Sequence, residues 1–179
     1  MRFDASDYGP EVASLLALDG NGWRLMPLAA GSCSSPEAAR RLKSLDALKL
    51  FPGARAPEAA LSGLWLYFSC LDESHLLSQE IDTAEGSFWH GIMHRQEPDA
   101  TNAAYWFRKV GMHAVFKPLR EAADGLGFRG PAEWDPFAFI EFCTQAGRRG
   151  SADERLALEV QRAEWQLLFD WSARGAPPG

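Results

Sequence analysis

The chain has 179 residues, 46% of them hydrophobic, with seven tryptophans and eleven phenylalanines, so it carries ample apolar surface for one packed core. Its 24 acidic and 18 basic side chains leave a formal charge of −6, which excludes the basic footprint of a nucleic-acid binder. The pairs Arg40-Arg41 and Arg148-Arg149 are too short to track a phosphate backbone and read as solvated surface.

The most apolar run, Leu64 to Phe68, is far below the roughly 20 residues needed to cross a bilayer. Residues Met1 to Asp7 lack the positive start and apolar run of a signal peptide. Neither a nucleic-acid nor a membrane partner is expected. Cys33, Cys70 and Cys143 are odd in number and widely spaced, without metal-ribbon spacing. The expectation is three reduced thiols in a cytoplasmic protein, with Cys70 and Cys143 serving as core filler.

Alternating apolar runs are absent and Ala and Leu dominate, so the pattern predicts helices. Pro10-Glu11 opens the first, reaching about Ala17. Residues 19–35, rich in Gly, Ser and Pro, form an irregular connection. Ser35-Pro36-Glu37 offers a cap with proline at the first helical position, and Ala56-Pro57-Glu58 repeats the signal. The second opens a stretch that is apolar all round, to Cys70, and predicts a central buried helix. A short helix follows with Asp72, Glu73 and His75. Asp82 with Glu85 can cap a helix over 85–96, ended by Pro98. Asp99 caps the next, over 100–110, which Gly111 terminates.

Further helices are expected over 115–123, 137–145 after Asp135-Pro136, and from the Ser151-to-Glu154 capping box to about Ala173. Residues 125–131 form a loop between the first two. The fold expected is all-α: seven or eight helices in a single domain over 1–174, built on a central antiparallel hairpin (85–110), with 175–179 a disordered tail. The hairpin should pack on helix 58–70 and on the last helix, burying Trp65 and Trp89.

The runs Asp72 to His75, Glu85 to Asp99 and Asn102 to His113, continued by Trp134 to Phe137 and Glu164 to Asp170, resemble a family of uncharacterised all-helical bacterial proteins. The resemblance covers roughly 60–172 and implies a shared fold and polar centre without an assigned activity. Separately, Glu97 to Lys109 is similar to the junction and second helix of a tetratricopeptide-type hairpin. Such hairpins need about three copies to be stable as an array, and one copy is visible.

All four histidines, His75, His90, His94 and His113, fall between residues 75 and 113. Histidine suits both metal ligation and proton transfer near neutral pH. On the helix 85–96, Phe88, Trp89, Ile92 and Met93 share an apolar face, while His90 and His94, four residues apart, lie on another. That spacing lets one helix offer two imidazoles to one ion. Gly91 stands where a zincin would have its glutamate. The candidate metal set is His90, His94 and His113, the last brought back by antiparallel packing, for a divalent transition metal. His75, Asp72 and Glu97 are further donors. The candidate ligand pocket comprises Asp72, His75, Glu85, His90, His94, Arg95, Tyr105, Arg108 and His113.

Arg95 can pair with Glu97 or Asp99, or hold an anion. Glu141 and Glu164 interrupt apolar faces, so each should be paired if buried. Gly125 to Gly130 lacks the preceding strand of a dinucleotide loop, and no nucleotide cofactor is expected. Two functional classes remain open. One is a histidine- and aromatic-lined pocket for a small molecule or metal. The other is a non-catalytic scaffold or homo-oligomer with a structural histidine network, its aromatics suited to interface anchoring.

Overall fold

The computed structural model describes residues 2–148 and 151–175, and every regular element among them is a helix. Ten α-helices follow in order: α1 (Pro10–Leu16), α2 (Pro36–Leu42), α3 (Ala47–Leu50), α4 (Pro57–Tyr67), α5 (Leu71–Ser78), α6 (Ala84–Gln96), α7 (Ala100–Val110), α8 (Phe116–Leu126), α9 (Pro136–Ala146) and α10 (Glu154–Ala173). The short α3, capped by Asp46, has no counterpart among the expected helices, and Ser69, with φ of +57°, separates α4 from α5. No helix among the described residues is long and apolar enough to cross a membrane. Of the expected tail, residues 176–179 lie outside the described residues.

Local chemistry sets most boundaries. Ser35, Asp99 and Asp135 cap α2, α7 and α9 by accepting backbone N–H bonds, and Pro36, Pro57 and Pro136 occupy first-turn positions. Two expected caps are displaced. Thr83, not Asp82, accepts from Gly86 N–H at the start of α6. At α10 the cap position is Asp153, and Ser151 accepts only the Asp153 N–H. Helix α8 runs to Leu126 and ends at Gly127, whose φ of +97° suits glycine.

Helices α4 and α6 form the centre, their residues 59–67 and 86–96 buried throughout. They approach closely because Gly63 lies beneath the Trp89 indole, where a Cβ would come within 2.6 Å of the ring. Gly91 admits Phe107 of α7 in the same way, which seats the hairpin. The face of α10 toward this centre carries Trp165, stacked on Phe169 at 4.8 Å and donating its indole N–H to Gly63 O at 2.8 Å. Trp65 and Trp89 are both buried, as expected.

The irregular connection between α1 and α2 begins with a 3-10 segment (Ala17–Gly22). Gln166 and Gln161 of α10 donate to Gly22 O at 2.8 Å and Met26 O at 2.9 Å, and Gly22 N–H donates to Tyr67 OH at 2.9 Å. These bonds satisfy backbone groups that a non-helical segment leaves open. Ser34 N–H donates to Phe68 O, which aligns the connection with the α4–α5 turn. Here the expectation of three free thiols is corrected: Cys33 and Cys70 are disulfide-bonded, with Cα atoms 4.4 Å apart, and Cys143 alone is free. Tertiary packing joins residues 37 positions apart, which no spacing rule anticipates.

Candidate metal centre

His90 and His94 lie one turn apart on α6, and α5 crosses beside them. The third imidazole is therefore His75, not His113. Ring centroids are 4.7 Å apart for His75–His90, 4.7 Å for His90–His94 and 5.4 Å for His75–His94. One nitrogen from each ring can be chosen so that all lie within 4.8 Å of one another. Trp106 of α7 covers the His90 ring at 4.0 Å, with the Lys109 ammonium 4.4 Å from the Trp106 ring centre.

On both α6 rings Nδ1 is engaged by a neighbouring oxygen. Ser78 Oγ lies 2.7 Å from Ser74 O and 2.8 Å from His90 Nδ1. With the hydroxyl proton on Ser74 O, the serine accepts from His90 Nδ1–H, the tautomer in which Nε2 keeps its lone pair. His94 Nδ1 lies 3.1 Å from Glu97 Oε2, an acceptor only, which likewise frees Nε2. Burial, reinforced by the neighbouring His94, His75 and Lys109, pushes the His90 pKa down to about 3. Burial also lowers that of His94, against the opposing pull of Glu97. Both rings are neutral at pH 7, the form that ligates metal.

A serine relay supports the site. Ser74 Oγ donates to Ser62 O at 3.1 Å, and Ser62 Oγ lies 3.0 Å from Ser74 Oγ, so α4 fixes α5 and α5 fixes His90. Ser78 is the contact of the histidine cluster that sequence reasoning missed. Its signal was the Ser74–Ser78 spacing of four on a helix that also carries His75. Glu97 also borders a cavity of about 280 Å³ whose walls include Asp72, Glu73 and the Cys33–Cys70 bridge.

The remaining candidates are dispersed. His113 does return to the start of α6, but on the opposite face from His90, edge-on to Phe88 at 5.3 Å. Its Nε2 is 3.8 Å from Glu85 Oε1, which accepts the Trp171 indole N–H at 2.9 Å. His113 first, and Trp171 with it, hold the Glu85 carboxyl down at about 2 against the opposing effect of burial. Tyr105 is half exposed, and Arg108 is exposed beside the Phe137 ring. Neither reaches the trio's shell.

Arg95 pairs with neither Glu97 nor Asp99. It is buried and donates through Nη1 and Nη2 to Glu164, the Nη1 contact being 3.3 Å, with Gln161 Oε1 3.3 Å from Nη2. Burial disfavours the guanidinium charge, but Glu164 more than offsets it, so the Arg95 pKa lies above its ordinary value. Glu164 is thus paired as expected for a buried carboxylate. Glu141 is exposed and accepts only from Gln145, so its interruption of an apolar run had no buried consequence.

Comparison with families of known proteins, with curated proteins and with solved structures returns no match.

Proposed function

We propose that the protein binds a divalent transition metal through His75, His90 and His94, with zinc the reference ion. The observation that carries this reading is the clustering of three rings with their hydrogen bonds. Two buried imidazoles each engage Nδ1 with a neighbouring oxygen, and one nitrogen of each lies within 4.8 Å of one on a third ring. Histidines that ligate metal use their other ring nitrogen in this way, and the Glu97–His94 pair repeats the carboxylate–histidine arrangement that raises ligand basicity.

Tetrahedral zinc with Zn–N bonds of 2.0–2.1 Å needs nitrogens about 3.3 Å apart. Contraction from within 4.8 Å is in reach of side-chain rotation, with His75 the least buried of the three. Three imidazole ligands leave one position for water or a small ligand, the composition of catalytic rather than closed structural sites. Imidazole also suits iron, copper and nickel, so metal choice follows availability and geometry.

The experiment uses tag-free protein, dialysed against zinc and measured by elemental analysis and chelator competition. One zinc per chain is expected. It should be lost in His75→Ala and in a His90→Ala, His94→Ala double variant, and kept in His113→Ala. Substoichiometric metal in the parent protein, with the histidine variants only less stable, would establish a structural network instead. Loss of metal in His113→Ala would equally overturn the assignment.

A further inference from the structure

A cavity of about 1140 Å³ opens between the C-terminal end of α7, the turn before α8, α8 itself and the segment 131–137. It is separate from the histidine trio, and its walls are largely apolar, with Phe107, Phe116 and Pro131 among them. Two further apolar side chains of the wall face solvent: Met112 is 87% exposed and Phe137 42%. Met112 is the most exposed large hydrophobic residue among those described, and it stands just past the end of α7. The face thus holds a protruding apolar knob beside an apolar hollow.

The charges on this face are of both signs. Asp124 is taken by Arg120, and Asp135 caps α9. Arg108, Lys117, Glu121 and Glu133 also line the cavity. All four are exposed, and none belongs to an ion pair among the described residues. On a chain of formal charge −6, this is a balanced patch. A strongly anionic or cationic partner would be opposed by half of these charges.

A two-fold axis sets one part of a patch against another part of the same patch on a copy, so an interface between identical chains must be complementary to itself. A face with a knob, a hollow and charges of both signs meets that condition. We infer that this face is where two copies of the chain associate, Met112 of each seated in the cavity of the other. Methionine suits the role, because its unbranched, flexible side chain fills irregular hollows.

Sedimentation equilibrium of the full chain in EDTA reads the association without any bridging metal. A monomer–dimer equilibrium with a Kd on the order of micromolar is expected. Met112→Asp and Phe137→Asp, both at exposed positions, should each weaken it about tenfold or more with the helical circular dichroism unchanged. Leu76→Asp, exposed but outside this face, should leave it intact. A Glu121→Lys, Glu133→Lys double variant should also dissociate, although it lowers the net charge of the whole chain, because it leaves one sign on the face. A tighter dimer in that variant would overturn the charge argument. A monomer at every concentration would overturn the inference, and one that binds anilinonaphthalene sulfonate except in Ala114→Trp would assign the cavity to a small molecule instead. A dimer unmoved by both aspartate variants, or formed only on adding zinc, would place the contact elsewhere.

Discussion

Ser78 Oγ lies 2.8 Å from His90 Nδ1 and gives its own proton to the Ser74 carbonyl 2.7 Å away. In that arrangement the imidazole donates from Nδ1 and its Nε2 keeps an open lone pair. A hydroxyl on α5 thus contacts the ring on α6 that the proposed metal site uses. Ser78→Ala should leave the ring free to adopt either tautomer and lower zinc affinity about 10–100-fold, while Ser78→Thr should restore most of it. Chelator competition reads the affinity, and circular dichroism checks that the helices persist. Unchanged affinity in Ser78→Ala would separate the tautomer from the metal.

The Arg95–Glu164 pair is buried on both sides. Removing one partner by Arg95→Met or Glu164→Leu leaves an uncompensated group in the core and should cost about 3–5 kcal/mol. The double variant should cost much less than the sum, because two apolar side chains can pack where two charges stood. Urea denaturation of the four proteins measures the coupling. Additive losses would mean that the two side chains act independently.

Acid stability should carry the signature of Glu85. Its folded pKa, near 2, lies below its ordinary 4.5. Between those values the unfolded chain binds the extra proton, so the stability Glu85 contributes is full above about pH 4.5 and is lost as pH falls through about 2. Glu85→Gln should melt lower at neutral pH and flatten the decline between pH 5 and 2. Thermal melts across that window provide the check. A slope identical to that of the parent protein would remove Glu85 from the account.

Gly63 is a packing requirement. Its missing Cβ would sit 2.6 Å from the Trp89 indole, so Gly63→Ala should cost about 1–3 kcal/mol by forcing α4 and α6 apart. Trp89→Phe, which shortens the obstructing ring, should relieve part of that loss in the same background, a non-additivity visible in denaturant midpoints. Full additivity would place the strain elsewhere.

What the sequence determined by itself is local. Proline at first helical turns, Ser35, Asp99 and Asp135 as caps, and Gly111 as a stop are readable because each acts within a turn or two of backbone. The pairing of His90 with His94 is legible for the same reason, since a spacing of four fixes neighbours on any helix. Only the tertiary structure decided the rest. The third ring depends on α5 crossing α6, which brings in His75 and leaves His113 against Glu85 and Phe88. The Cys33–Cys70 bond depends on an irregular segment held in place by α4 and α10. Arg95 passes over its sequence neighbours Glu97 and Asp99 for Glu164, 69 residues away, because burial makes an enclosed partner worth more than an exposed one. Helix packing is set by side chains meeting across elements far apart in the chain, and a periodicity within one element carries no record of which neighbour it will meet.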